Sequence, residues 1–365
     1  MLTNPSRIGL PLLLALTSMA CTIATAPTSS GPSASDAGDA PAPDGQASSA
    51  AVEVEEVALV GTSITSAISA TGTFGVTTIP RSALHDAILD KNQPFAVHIV
   101  SPAGIELEAP VTECTARAPA LQPSAFGVIV DGSGDMAQDD PQLRRKDATI
   151  QFIKTLGVDQ PALLGEVGPI AFTMRDMLCQ PTADPNSCPL VDAKPLTSDK
   201  TALIAGAAKI HAVGPDELFG ACAYMAGILD GLKDRRSGIV VLSNGRPDAQ
   251  DPRLNDCQMN DPHIPVYTLG IGPGAEGGPD ADPSAVATLR TTSALSGGSY
   301  TSADSPDLDS FFKNMNAAVD RGSCQTTTRL KNPTLLRAGT KVEGEVVVGN
   351  KGAKAAFTFV APSSK

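Results

Sequence analysis

The sequence predicts an α/β fold with a Rossmann-like, doubly wound and mostly parallel sheet, flanked by a β-sandwich built from the N- and C-terminal segments. Helical and strand patterns alternate from residue 126 to residue 319, in the order that a doubly wound sheet requires. The apolar runs in this part are continuous rather than alternating, as in parallel strands that are covered on both faces. The first of these runs ends in an acidic, glycine-spaced loop, which is the layout of a strand that delivers ligands to a cation.

The elements of the central part follow one another along the chain. The first strand covers residues 126–130, an apolar run that is bounded by turn signals. The first helix covers residues 143–156, because apolar residues recur there at helical spacing between the turn around Pro141 and the break at Gly157. Further strands are predicted at 168–172, 238–242 and 264–271, a short turn and strand at 296–301, and further helices at 216–232, 286–295 and 308–319.

The loop after the first strand carries three oxygen-bearing side chains. Asp131, Ser133 and Asp135 alternate with glycines that free the backbone to curl, so the three side chains are able to converge. Hard cations such as Mg²⁺ prefer ligands of this kind. The same residue types favour any strand-to-helix turn, so an ordinary turn is the alternative interpretation. A calcium loop of the EF-hand type is excluded, because it needs Gly where Met136 stands.

Five short motifs are spread through the central part of the chain. They are FGVIVDGSGD at 126–135, PLTSD at 195–199, GPDELFGA at 214–221, IVVLSNG at 239–245 and ALSGGSY at 294–300. In order, they resemble five features of a von Willebrand factor type A domain: its first strand and metal loop, the segment before its third helix, its Gly-Thr-x-Leu-Tyr-x-Ala turn, its strand ending in Thr-Asp-Gly, and its late Ala-x-x-Gly-Gly-x-Tyr turn. The resemblance covers residues 122–322 and implies the doubly wound fold.

The resemblance also implies a metal-ion-dependent adhesion site, which this family builds from Asp-x-Ser-x-Ser, a Thr and an Asp. Asp131 and Ser133 match that pattern, whereas Asp135, Asp216 and Asn244 replace the second Ser, the Thr and the Asp. Every replacement keeps an oxygen atom, but the longer Asp135 disturbs the near-octahedral geometry that Mg²⁺ demands and Ca²⁺ does not. A divalent cation, Mg²⁺ or Ca²⁺, is therefore the expected cofactor. An inactive loop is the alternative.

The first 21 residues have the layout of an export signal. Arg7 precedes an apolar run at residues 8–16, which is too short to span a bilayer, and small residues lead to Cys21. The segment from Ser18 to Cys21 resembles the lipobox at which bacterial lipoproteins are cleaved and acylated. We therefore expect a lipid anchor on Cys21 and a place on the outer membrane or the periplasmic face of a bacterial cell envelope. Cleavage near residues 24–26, followed by secretion, is the alternative.

The segments outside the central domain have two different characters. Residues 22–51 are rich in Ala, Ser, Pro and Gly and cannot bury a core, so they are predicted to be a disordered tether. Residues 52–114 and 326–365 contain β-rich runs, and together they have about the size of one immunoglobulin-like domain. We expect the type A domain to be inserted into one β-sandwich, with two separate β appendages as the alternative. The runs are residues 95–100, 105–109, 342–348 and 355–360.

The cysteines fit an exported protein. Of the seven, Cys21 is assigned to lipid, and the remaining six are an even number, as disulfides in an oxidising compartment require. The geometry of the resembled family suggests one pair, a short turn-rich loop suggests a second, and elimination leaves a third, with free buried thiols as the alternative. These pairs are Cys114 with Cys324, Cys179 with Cys188, and Cys222 with Cys257.

No catalytic set emerges from the sequence, because the four histidines are scattered without triad or ligand spacing. The net charge of −12 disfavours binding to nucleic acid, and it disfavours contact with membranes other than through a lipid anchor. The resemblance then implies a non-enzymatic, surface-tethered adhesion module with a protein ligand. An accessory subunit with a silent metal site is the main alternative, and a hydrolase that uses Ser133 with His263 is the third reading.

Overall fold

Two β-sheets form the framework of the protein. The computed structural model describes residues 53–64, 71–117, 122–167, 196–210, 218–246, 257, 264–272, 282–305, 307–337 and 339–361. Within these residues the larger sheet has nine strands and the smaller has three. The strands are β1 (Glu56–Ser63), β2 (Thr73–Arg81), β3 (Phe95–Ser101), β4 (Val111–Ala116), β5 (Ala125–Asp131), β6 (Ala162–Val167), β7 (Ser237–Ser243), β8 (Val266–Gly270), β9 (Tyr300–Ser302), β10 (Gly322–Arg329), β11 (Lys341–Val348) and β12 (Ala353–Val360).

The helices follow the strands of the central part. Two of them begin at an aspartate whose side chain accepts hydrogen bonds from the first turn, namely Asp199 and Asp282. Such caps satisfy backbone N–H groups that have no partner inside the helix. The helices described are α1 (Met136–Asp139), α2 (Arg144–Thr155), α3 (Lys200–Ala207), α4 (Leu218–Asp230), α5 (Pro283–Ser296) and α6 (Leu308–Arg321).

The parallel half of the larger sheet confirms the doubly wound prediction. Its order is β6-β5-β7-β8-β9, and every neighbouring pair in it is parallel. Strands β5, β7 and β8 are buried along their whole length, as their continuous apolar runs predict. Phe152 of α2 and Phe312 of α6 belong to the core on one face, and Phe219 of α4 belongs to the core on the other. Helices therefore cover both faces.

The antiparallel half of the structure is built from the two flanks of the chain. β1 joins the parallel half at β9 through the pair Thr62 and Tyr300, and β2, β10 and β4 follow it in antiparallel order. The smaller sheet, β12-β11-β3, is antiparallel throughout. A third core lies between the two sheets, where the ring of Phe74 lies 6.0 Å from that of Phe357 and 5.3 Å from that of Phe359. The flanks thus pack as a sandwich that shares its first sheet with the parallel half.

One expectation needs correction, one strand was not predicted, and one expectation lies outside the described residues. Residues 105–109 do not form a strand, since only Leu107 makes an isolated bridge, to Leu330, and β4 begins at Val111 instead. β6 was not predicted, because its short run is broken by Gly165 and is followed at once by a second apolar run. That second run, residues 168–172, lies outside the described residues.

Two disulfides confirm two of the three predicted pairs. Cys114 and Cys324 are register partners on β4 and β10, so their bridge joins the strand before the parallel half to the strand after its last helix. Cys222 of α4 is bridged to Cys257. Cys179, Cys188 and the proposed lipid-bearing Cys21 lie outside the described residues. Among the residues that are described, no helix is long and apolar enough to cross a membrane.

Candidate functional site

Polar side chains gather where two neighbouring parallel strands end. β5 ends at Asp131 and β7 at Ser243, and the two strands are paired, so both ends lie at the same edge of the sheet. β5 has β6 on one side and β7 on the other, so the strand order reverses at this point. In open α/β sheets, ligands bind outside the carboxyl ends of the strands at such a reversal. The carboxyl-edge site is defined here as Asp131, Ser133, Asp135, Asp139, Asn244 and Arg246.

Asp131 is the fully buried centre of the site. Its Oδ1 accepts hydrogen bonds from the backbone N–H of Ser133 at 2.9 Å and from the Ser133 hydroxyl at 2.5 Å. Its Oδ2 accepts a hydrogen bond from the Ser243 hydroxyl at 2.7 Å. Burial raises the pKa of the Asp131 carboxyl, and these hydrogen bonds only partly oppose that rise. The ionised form of Asp131 is therefore held at an energetic cost.

The Ser133 hydroxyl lies between two carboxylates. Its oxygen is 2.5 Å from Oδ1 of Asp131 and 2.6 Å from Oδ1 of Asp135. A hydroxyl carries one proton, so it donates to only one carboxylate at a time. The other short contact is then an approach of two oxygen atoms with no hydrogen of the hydroxyl between them. The first loop therefore brings three side-chain oxygen atoms close together, as the ligands of one cation are.

Asn244 approaches this loop through its nitrogen. Its Nδ2 donates to Oδ2 of Asp135 at 2.9 Å and to Oδ2 of Asp139 at 3.1 Å. Its Oδ1 accepts a hydrogen bond from the backbone N–H of Arg246 at 2.9 Å. The resemblance assigns Asn244 the part of an oxygen ligand. In this conformation Asn244 is a hydrogen-bond donor to the acidic loop.

Arg246 adds a positive charge to the same place. Its Nη1 lies 3.0 Å from Oδ2 of Asp139, and its Nε lies 3.6 Å from Oδ2 of Asp282, which caps α5. The side chain of Arg246 is 43% exposed, whereas that of Asp139 is 16% exposed. Sequence reasoning missed both Asp139 and Arg246. Their spacing in the sequence could have indicated that they belong to the site. Asp139 follows Asp135 by four residues, and Arg246 follows Asn244 by two.

The backbone of both loops is fixed by short-range interactions. Gly245 has a φ of +75°, and a Cβ atom there would lie 2.5 Å from the carbonyl oxygen of Ala285, so a glycine is needed at this turn. On the other loop, the buried Asp140 accepts hydrogen bonds from the backbone N–H of Arg144 at 2.7 Å and from Nη1 of the buried Arg145 at 2.8 Å. This pair holds the turn between α1 and α2. The site therefore rests on rigid supports.

The described residues fit a divalent cation only in part. Asp131, Ser133 and Asp135 bring oxygen atoms together from one loop, but Asn244 presents N–H groups to them. Asp216, the fifth predicted ligand, lies outside the described residues. Within the part of the chain that is described, no group of three or more His, Cys, Asp or Glu side chains has an arrangement suited to a metal ion. Binding of a cation by Asn244 therefore requires that the loop after β7, the second loop of the site, turns the amide oxygen of Asn244 towards the first loop.

Comparisons with known proteins give similar structures but no sequence relative. No family model matches the chain, and no curated protein matches it. A von Willebrand factor type A structure from Catenulispora acidiphila has 12% identity and a TM-score of 0.42, over 86% of this chain and 74% of that one. The manganese-loaded TRAP protein of Plasmodium vivax has 11% identity and a TM-score of 0.40, over 70% and 99%. Both are structures that this chain resembles, as the sequence motifs predict.

A third similar structure is the von Willebrand factor domain of the type V pili tip protein Mfa5 from Porphyromonas gingivalis. It has 10% identity and a TM-score of 0.39, over 56% of this chain and 96% of that one. At such identities and scores the manganese of one neighbour and the pilus of the other are properties of those proteins.

Proposed function

We propose that this chain is a non-enzymatic protein-binding module and that the carboxyl-edge site is its contact surface. The observation that supports this most directly is the convergence of Asp131, Ser133 and Asp135 at the end of the central parallel strand, where the strand order reverses. Asp135 is exposed, so a partner has access to its carboxylate. The partner is a protein of unidentified sequence.

A divalent cation is the second part of the proposal. Asp131, Ser133 and Asp135 are the first-loop ligands, with Asp216 and Asn244 completing the set that the resemblance implies. The close approach of the Asp131 and Asp135 oxygens to the Ser133 hydroxyl supports a cation here. When bound, the cation supplies a positive centre to which a carboxylate of a partner coordinates. Ca²⁺ suits this donor set better than Mg²⁺, because it tolerates irregular geometry.

Tethering to a bacterial cell envelope is the third part. Acylation of Cys21 provides the anchor, and residues 22–51 provide a flexible spacer between the anchor and the folded unit. The two disulfides are typical of proteins in oxidising compartments, which supports an extracytoplasmic location. Metabolic labelling with a fatty acid tests the anchor. Incorporation that is lost in Cys21→Ser is the expected result, and equal labelling of both proteins would exclude Cys21 as the acceptor.

The contact surface is tested by photo-crosslinking in cells. A photoreactive amino acid at Gln138, an exposed residue of α1, is compared with one at Lys341, an exposed residue of the smaller sheet. The proposal expects protein adducts from position 138 that are reduced by Asp135→Ala. Adducts from position 341 alone would favour the accessory-subunit reading, in which the sandwich makes the contacts. That reading is supported by the donor role of Asn244.

The non-enzymatic part is tested with a serine-directed covalent probe. The Ser133 hydroxyl lies between the carboxylates of Asp131 and Asp135, and His263, the base that a hydrolase needs, lies outside the described residues. The expected result is no labelling of Ser133 at neutral pH. Stoichiometric labelling that is abolished in both Ser133→Ala and His263→Ala would establish the hydrolase instead.

A further inference from the structure

We infer that Asn244 and Arg246 form a built-in counter-ion at the carboxyl-edge site, which holds the two loops together and competes with a divalent cation. The inference rests on the proposed function only in that it concerns the same site. It assigns a regulatory role to Arg246, a residue that the resemblance does not place in the site.

The first support is the number of protein donors that reach the acidic side chains. Asp135 and Asp139 both accept hydrogen bonds from the Asn244 amide, at 2.9 Å and 3.1 Å. The Arg246 guanidinium adds a charged contact to Asp139 at 3.0 Å and a longer one to Asp282 at 3.6 Å. Three carboxylates from two segments of the chain, the loop with α1 and the start of α5, therefore meet donors of the loop after β7. A bound cation would connect the two loops in the same way, by taking ligands from both of them.

The second support is that Asn244 turns its nitrogen, and not its oxygen, towards the acidic side chains. Its Oδ1 is already bonded to the backbone N–H of Arg246, at 2.9 Å. Turning the amide to offer oxygen to a cation breaks this bond and both bonds that Nδ2 donates. Polar groups that lose their partners without replacement are costly, and Asn244 is fully buried. A cation therefore has to displace the internal donors before it gains Asn244 as a ligand.

The third support is charge. Arg246 neutralises part of an acidic cluster whose net charge otherwise attracts a cation. Removing the guanidinium leaves Asp139 and Asp282 without that partner and strengthens the field at the site. Because Arg246 is partly exposed at the surface, its removal leaves no cavity in the core. Substitution at this position is therefore a clean test.

The test is a calorimetric titration of Ca²⁺, Mg²⁺ and Mn²⁺ into the oxidised full-length chain carrying Cys21→Ser, which removes the proposed acylation site. The same titration is made with Arg246→Ala and with Asn244→Asp. We expect Arg246→Ala to raise the affinity for Ca²⁺ at least tenfold, because it removes a competing charge. Asn244→Asp should raise it further, because it removes the amide donors and adds a carboxylate. Arg246→Lys, which keeps the charge, should stay within about threefold of the parent.

The matched control is Arg144→Ala. Arg144 carries the same charge near the same edge of the sheet, where it contacts Asp304 at 2.6 Å and Asp140 at 3.6 Å. A change in affinity below threefold in this variant shows that general charge is not the cause. Thermal unfolding gives a second measurement. In the presence of a chelator, the thermal midpoint of the Arg246→Ala variant should lie below that of the parent protein. Saturating Ca²⁺ should restore it.

Three outcomes would overturn the inference. The first is tight binding by the parent with no gain in Arg246→Ala. The second is the absence of binding in the parent and in every variant, since removal of the internal donors then admits no cation. The third is an equal gain in Arg144→Ala and Arg246→Ala. The photo-crosslinking experiment is independent of all three, so a failure of the proposed contact surface is distinguished from a failure of the counter-ion.

Discussion

At the scale of single residues, Asp131 is a fully buried carboxylate at the centre of the site. Burial raises the pKa of its carboxyl, although Ser133 and Ser243 donate hydrogen bonds to it. An acid whose pKa is raised by folding stabilises the native state below its unfolded pKa, and that contribution is lost as the pH rises through the folded pKa. At neutral pH, Asp131 therefore lowers the stability of the cation-free protein. Functional sites commonly carry such a cost.

This argument predicts that Asp131→Asn raises the stability of the cation-free protein. Asparagine keeps an oxygen acceptor for the Ser133 donors and removes the buried charge. In the presence of a chelator at pH 7, the thermal midpoint should rise by a few degrees. The gain should vanish below the unfolded pKa of an aspartate, about 3.9. Calorimetric unfolding across this pH range makes the measurement, and a lower midpoint for the variant at pH 7 would contradict it.

At the scale of elements, the start of α5 connects helix stability with the site. Asp282 caps α5 by accepting hydrogen bonds from the backbone N–H groups of Ser284 and Ala285, and it also faces Arg246. The hydrogen bond from the Ser284 hydroxyl, at 2.6 Å, is the main cause of the lowered pKa of Asp282, and the backbone bonds and Arg246 add to it. A lowered pKa means that this contribution is present above the unfolded pKa and is lost as the pH falls through the folded pKa.

Asp282→Ala should therefore lower the free energy of unfolding by about 1 kcal/mol at neutral pH. The difference from the parent should shrink as the pH falls towards the folded pKa. Asp199→Ala is the matched control, because Asp199 caps α3 through the N–H groups of Thr201 and Ala202. Denaturant unfolding of the three proteins at several pH values is the measurement. A loss for Asp282→Ala that grows at low pH would refute the assignment.

Several elements with a strong apolar pattern were predicted from the sequence, whereas β10, which buries polar residues, was not. The runs of β7 and β8 and the periodicity of α6 gave their positions to within a few residues. β10 was missed, because its inward positions are Cys324, Thr326 and Thr328, which do not read as an apolar alternation. Its burial depends on pairing with β2 and β4, which are distant in the chain.

One part of the candidate site was likewise predictable from the sequence, and another part was not. Asp131, Ser133 and Asp135 stand together in one short loop, so their convergence follows from local geometry. The role of Asn244 did not follow, since the choice between its oxygen and its nitrogen depends on hydrogen bonds to Asp139 and Arg246. Those contacts arise only when β5 and β7 lie side by side.

At the scale of the whole molecule, the two disulfides close loops of very different size. Cys114 and Cys324 are separated by 210 residues, and Cys222 and Cys257 by 35. Because a cross-link stabilises mainly by restricting the unfolded chain, the longer loop should contribute more. The first bridge also ties the antiparallel pair β4 and β10 on which the sandwich depends. The fold thus gains most from the bridge between its flanks.

Replacing Cys114 and Cys324 together by alanine should therefore lower the free energy of unfolding by roughly 2–5 kcal/mol. The corresponding replacement of Cys222 and Cys257 should cost less. Urea unfolding under oxidising conditions, with far-ultraviolet circular dichroism as the signal, compares the two double variants with the parent. An equal or larger loss for the Cys222 and Cys257 variant would show that chain restriction is not the main contribution.

The bridge between β4 and β10 also determines how the protein carries mechanical load. Every residue of the parallel half, including the carboxyl-edge site, lies between Cys114 and Cys324 in the chain. A pull between the two chain ends therefore passes through the sulfur atoms and does not stretch this loop. In single-molecule pulling, the oxidised chain should extend only by the residues outside the bridge, and reductant should release the rest. A fold of this design keeps the carboxyl-edge site unstrained while its two flanks are under tension.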